Sequence, residues 1–187
     1  RPDTHLTAGP KVSPPDDVSS VAWNRQVQYI LGTTAATGRS VVWDLRSSKP
    51  IIQFSDGRSQ CKALCWHPDE ATMLATASES DHHAVVQLWD LRSASAPVKE
   101  LSGHHKGILG MDWCPRDASM LLTCGKDNRT VCWDPLVDDP AQQVVMELPR
   151  ANNWVYDVKW CLRDPGLIAP CSFDGRIAVN ALTGGHT

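Results

Sequence analysis

Eight tryptophans stand in this chain beside only two phenylalanines and two tyrosines, and no other feature limits the fold as strongly. An indole needs a large pocket, so many of them at regular spacing imply one structural slot built several times over. Four close short apolar runs: Val21-Ala22-Trp23, Leu64-Cys65-Trp66, Met111-Asp112-Trp113 and Val158-Lys159-Trp160, spaced by 43, 47 and 47 residues. A second series, Trp43, Trp89 and Trp133, follows about twenty residues behind each of the first three, and each of these is followed by Asp: Asp44, Asp90 and Asp134. The fourth unit carries Asn180-Ala181 in that place.

The runs within each unit are strand-like. Ser19, Val21 and Trp23 alternate with Ser20 and Ala22 at period two, and Ser40-Val41-Val42-Trp43 and Val85-Val86-Gln87-Leu88-Trp89 are rich in β-branched and aromatic residues. Turn chemistry separates them at Thr37-Gly38-Arg39, Lys126-Asp127-Asn128-Arg129 and Phe173-Asp174-Gly175-Arg176. No window of a dozen residues shows a convincing helical period, so the class is all-β.

A unit of about 45 residues with four short strands, closed by Trp-Asp, resembles the WD-repeat β-propeller. Gly103-His104 supplies the other half of that signature, 30 residues before Trp133-Asp134. The resemblance implies that His104, Asp127 and Trp133 join a hydrogen-bond network bracing one blade. It makes Trp43, Asp44, Trp89, Asp90 and Asp134 the corresponding bracing positions. The second unit has Ser55-Asp56-Gly57 and the fourth Ala151-Asn152-Asn153 where Gly-His is expected, so one blade alone can carry the whole network. The four repeats are read at 18–60, 61–105, 106–152 and 153–187. Residues 1–17, with Pro2, Pro10, Pro14 and Pro15, read as the outer strand of a preceding blade plus a linker.

Several stretches go beyond generic WD features: Ala22-Trp23-Asn24-Arg25-Gln26-Val27-Gln28-Tyr29-Ile30-Leu31, Val42-Trp43-Asp44-Leu45-Arg46, Trp66-His67-Pro68-Asp69, Gln87-Leu88-Trp89-Asp90-Leu91-Arg92, Leu121-Leu122-Thr123-Cys124-Gly125-Lys126-Asp127 and Ser172-Phe173-Asp174-Gly175-Arg176-Ile177. In this order they resemble, over residues 18–182, the N-terminal propeller of the large outer-cage subunit of the COPII vesicle coat, the Sec thirty-one family. The resemblance implies a seven-bladed parent, of which this chain holds about the last four blades. It implies a non-enzymatic scaffold in endoplasmic reticulum-to-Golgi transport, cytoplasmic and peripheral on exit sites and coated vesicles. Its implied partners are other coat propellers and the small outer-cage subunit, the latter held through an extra blade that would follow this segment. The runner-up is a generic WD adaptor, such as a ubiquitin-ligase substrate receptor or a chromatin-binding propeller.

Charge and motif content agree with a protein-binding scaffold. Eighteen basic residues against 21 acidic ones give a net charge of −3, and there is no basic stripe for nucleic acid or membrane. No apolar run approaches the roughly 18 residues of a membrane-spanning helix. There is no G-x-S-x-G, H-E-x-x-H or phosphate-binding glycine loop, so no catalytic residue and no cofactor are expected. Seven cysteines without a C-x-x-C pair read as reduced, buried thiols of a cytosolic protein. Cys61, Cys65 and His67 share one strand face, but four residues of strand hold the two thiols about 13 Å apart, too far for one zinc ion. Asp44, Asp90 and Asp134 are expected to turn the chain, and Arg46 and Arg92 to form ion pairs at a blade edge. The regular tryptophans are expected in packing between blades, Phe173 in a blade core, and Trp154, which lies outside both series, as a possible protein contact.

Overall fold

The computed structural model describes residues 16–58 and 60–182, together with residue 6. Most of the strand expected over residues 1–17 therefore lies outside the described residues. The first unit forms β1 (Val18–Trp23), β2 (Ile30–Ala35), β3 (Ser40–Asp44) and β4 (Lys49–Phe54). The second forms β5 (Cys61–Trp66), β6 (Met73–Ser78), β7 (Val85–Asp90) and β8 (Lys99–Ser102), with one turn of 3-10 helix at Leu91–Ser93. The third forms β9 (Ile108–Trp113), β10 (Leu121–Gly125), β11 (Thr130–Trp133) and β12 (Val144–Glu147). Among the described residues the fourth has three strands rather than four, β13 (Val155–Trp160), β14 (Leu167–Ser172) and the two-residue β15 (Asn180–Ala181).

Each unit is one antiparallel sheet whose strands pair in chain order. The hairpin between the second and third strands is cut to one pattern in the first, third and fourth blades. Gly38, Asn128 and Gly175 occupy the same place in it with φ of 85°, 64° and 77°, the left-handed conformation that glycine and asparagine adopt most readily. The first strands β1, β5, β9 and β13 lie innermost and pack side by side, so the sheets radiate from them as blades.

The core lies between the sheets, not within them. Pairing in register puts Trp66, Leu74 and Trp89 on one face of the second sheet. They pack against Val42 and Phe54 of the first, with the Phe54 and Trp89 rings 4.7 Å apart. Trp113, Leu121 and Trp133 of the third sheet meet Ala75, Ala77, Val86 and Leu88 of the second. Val158, Trp160 and Ile168 of the fourth meet Leu122, Cys124 and Cys132 of the third. Three sheet junctions thus give three apolar clusters, and the two tryptophan series line the same face of successive sheets.

Two expectations fail at the ends of this arc. Trp23 occupies the slot of Trp66, Trp113 and Trp160 yet is 59% exposed, although Trp43, paired with it through Leu31, is 3% exposed; among the described residues no strand packs against β1 on that side. Phe173 is 67% exposed rather than buried in a blade core. It stands in the hairpin after β14, beyond the sheet, and packs T-shaped with the Tyr156 ring at 5.7 Å.

Candidate functional site

The densest polar group sits inside the third blade. The Trp133 indole donates to the Thr123 hydroxyl at 2.7 Å, and Thr123 lies 2.7 Å from His104 Nε2. His104 Nδ1 faces both Asp127 oxygens at 3.0 and 3.1 Å. An indole can only donate and a carboxylate can only accept, so the chain has one consistent polarity: Trp133 to Thr123, Thr123 to Nε2, and Nδ1–H to Asp127. Thr123 is fully buried, and Asp127 also accepts from the amides of His105 and Arg129. Burial acts to raise the Asp127 carboxyl, but these hydrogen bonds, His104 foremost, bring it down to about 2.

Local sequence makes the group possible. A Cβ on Gly103 would come within 2.8 Å of the Trp133 ring, so only glycine lets the chain pass over the indole to place His104. Arg129 donates to the Gly103 carbonyl and forms a two-pronged pair with Glu147 at 2.9 and 2.7 Å, tying the hairpin to the outer strand.

His104, Asp127 and Trp133 therefore meet around Thr123, a residue the sequence reading did not single out. The signal was present. Trp43 donates to Thr33 at 3.0 Å and Trp89 to Thr76 at 2.9 Å, so a threonine stands ten to thirteen residues before each Trp of the second series. The first two blades keep the Trp–Thr half. In the second blade Gln87 of β7 donates instead to Asp56 and Glu100, each at 2.8 Å.

Asp44 and Asp90 lie apart from this group, at the opposite strand end. Asp44 accepts from the Arg46 amide and guanidinium, the latter at 2.8 Å, and Asp90 repeats this with Arg92 at 2.7 Å. Both carboxyls are lowered by the facing arginine. Arg46 also lies over the Tyr29 ring at 3.7 Å. Asp134 accepts from the Leu136 amide. All three close a turn, and at exposed sites such pairs contribute little beyond geometry.

The innermost strands enclose a cavity of about 450 Å³ lined by Ser20, Lys62, Asp112, Tyr156 and Lys159 among others. Asp112 ties its mouth together. It lies 3.6 Å from Arg25 of the first blade and accepts from the Trp160 amide of the fourth at 2.9 Å. Burial pushes its carboxyl up, while Trp160, Lys159 and Arg25 act downward. Cys61 and Cys65 are buried single thiols, and burial raises both, Cys61 to about 11. His67 Nδ1 accepts from the amides of Asp69 and Glu70, and burial lowers its basicity. Among the described residues no three such groups gather around a common point where a metal could bind. No helix is long and apolar enough to cross a membrane. Trp154 is 40% exposed, with Lys126 Nζ 5.7 Å from its ring.

Residues 95–134 match the family model of the WD domain, G-beta repeat. The chain is similar to the protein transport protein Sec31A of Rattus norvegicus, 53% identical over 108 residues, a match that covers 57% of this chain and 9% of that protein. The Homo sapiens Sec31A is 52% identical over the same length and the same share of each chain. Among solved structures, the outer coat vertex of COPII on membranes contains a chain that superposes with a TM-score of 0.87 at 33% identity. That superposition covers 97% of this chain and 48% of the other. The matched segment is thus about a tenth of the length of the curated relatives.

Proposed function

From the premise that this chain is a Sec31-like WD-repeat propeller segment, we propose that it serves as a non-enzymatic scaffold of the COPII outer coat, acting through propeller contacts in cage assembly. One observation carries the reading: nearly the whole chain superposes on a chain of a COPII outer coat vertex while more than half of it is 53% identical to a Sec31A protein. The mechanism is geometric. Sheets locked together by three apolar clusters form a stiff body, and the loops at the blade rims are presented in fixed positions for other proteins. His104, Thr123, Asp127 and Trp133 belong to that stiffness rather than to chemistry. The partners of this reading are other coat propellers and, through parts of a longer chain, the small outer-cage subunit. Its place is the cytoplasmic face of endoplasmic reticulum exit sites and the vesicles leaving them.

A pull-down from cytosol with the complete protein as bait, read by mass spectrometry, tests it. Recovery of the small outer-cage subunit together with inner-coat components supports the reading. Recovery of a cullin-type ligase or of histones without coat protein overturns it in favour of a WD adaptor.

A further inference from the structure

One structural slot recurs at the start of every blade and is filled differently in the last. The residue before the innermost strand accepts, through its carbonyl, the amide just after the second strand: Gln60 from Glu79, Gly107 from Lys126, and Trp154 from Phe173. At the junction of the second and third blades this slot is closed. Gly107 lies so near the Glu79 backbone that a Cβ would stand 1.9 Å from the Glu79 carbonyl oxygen. At the junction of the third and fourth blades the same position carries an indole. A side chain of that size cannot pack as Gly107 does, and Lys126, the counterpart of Glu79, stands over the ring at 5.7 Å. The result is a concavity of about 390 Å³ on that rim, lined by His105, Lys106, Lys126, Arg150, Asn153 and Trp154 with Asp127 and Asn128.

The charge of this concavity runs against that of the chain. Its one carboxylate, Asp127, is buried and taken up by His104 and two amides. Glu147, beside Arg150 at 3.4 Å, is already held by both prongs of Arg129. Lys126 faces Glu79 at 3.5 Å and Asp81 at 3.9 Å on its far side. Lys106 is exposed and makes no ion pair among the described residues. The lining therefore carries three cations against one carboxylate, with Lys106 unpaired, beside the partly exposed Trp154 ring. The Trp154 backbone is held by the hydrogen bond from its N–H to the Asn153 side-chain oxygen and by that from the Phe173 amide to its carbonyl, and its ring packs T-shaped with Tyr156 at 6.5 Å. A partly exposed indole among charged side chains has the composition of a binding hot spot.

We propose that this concavity docks an acidic peptide segment carrying an aromatic or apolar side chain, which stacks on Trp154 while its carboxylates meet Lys106, Lys126 and Arg150. The lining favours a peptide over a bilayer, because Trp154 is its one apolar side chain, beside Lys106, Lys126, Arg150 and Asn153, whereas insertion into lipid takes a contiguous apolar face. The proposal goes beyond coat membership and holds for any partner that supplies such a segment.

Fluorescence anisotropy on the full-length protein tests it, with a fluorescein-labelled glutamate-rich peptide bearing one central tyrosine. Saturable binding that weakens with added salt is expected. Trp154→Ala and Lys106→Glu should each weaken it roughly tenfold or more, while Lys49→Glu, exposed on the first blade, should leave it unchanged. Lys106→Glu alters an exposed, unpaired side chain, so its effect is not a folding defect. Absence of saturable binding, equal binding of a lysine-rich peptide, or indifference to both variants overturns the proposal. So does binding to phosphatidylserine vesicles, lost in the same variants, in place of binding to the peptide.

Discussion

Thr123 is the residue on which the third blade turns. It satisfies a buried indole N–H and a buried imidazole nitrogen at once. Thr123→Val keeps the shape and removes both bonds, so two buried polar atoms lose their partner, each at about 1–3 kcal/mol. Thr33→Val in the first blade strands one indole only and should cost about half as much, a ranking that urea denaturation midpoints will check. Asp127 sets an acid limit. Its folded pKa of about 2 lies below the ordinary 3.8, so its contribution is complete above about pH 4 and is lost as the pH falls toward 2. Asp127→Asn should flatten the pH dependence of stability in that window, as read by tryptophan fluorescence during acid titration. Trp133 was legible from the repeat, and Gly103-His104 from its resemblance to the WD signature. Thr123 was not, because threonine is common and only the sheet register brings it beneath the indole.

At the scale of the element, glycines report how tightly neighbouring blades approach. Gly107→Ala drives a Cβ into the Glu79 backbone, which is no flexible side-chain tip. The β9 edge must shift, at about 1–3 kcal/mol or more. Gly175→Ala meets nothing within 4 Å and pays only for its φ of 77°, about 1–2 kcal/mol. Thermal denaturation of the two variants should therefore rank Gly107→Ala as the more damaging, although Gly175 is the one with the strained backbone. Strand type and hairpin position were readable from β-branched runs and turn residues. The bulges that shift the register in β1, β5 and β13 were not, since an extra residue in a strand leaves no compositional mark.

The whole molecule is an arc of blades with unlike apolar side chains exposed at its two ends, although Val41 and Trp43 on the same face as Trp23 are 1% and 3% exposed. The first blade shows Val21 and Trp23, at 61% and 59% exposure, and the last shows Tyr156, Phe173 and Ile177. Apolar faces of this kind associate, and two different faces meet head to tail instead of closing a two-fold dimer. The 187-residue chain should therefore self-associate in a concentration-dependent way in sedimentation velocity. The double variant Val21→Ser, Trp23→Ser should shift it toward monomer without loss of β-sheet signal in circular dichroism. An unchanged distribution in that variant would place the association elsewhere on the surface.

By itself the sequence determined the all-β class and the repeat length, because a period of about 45 residues that returns an indole to one slot calls for stacked like units; the propeller architecture came from the resemblance of that unit to the WD repeat. Resemblance in its Trp-Asp-Leu-Arg and neighbouring stretches pointed to the coat family before any coordinates. Tertiary structure alone decided which indoles are covered: Trp66 and Trp23 sit in equivalent runs, yet one is 1% exposed and the other 59%, since burial belongs to the neighbouring sheet and not to the strand. It also decided that Gly107 and Trp154 share a slot, one closing a junction and the other opening it. Such an equivalence depends on hydrogen bonds between residues far apart in the chain, and local sequence does not encode it.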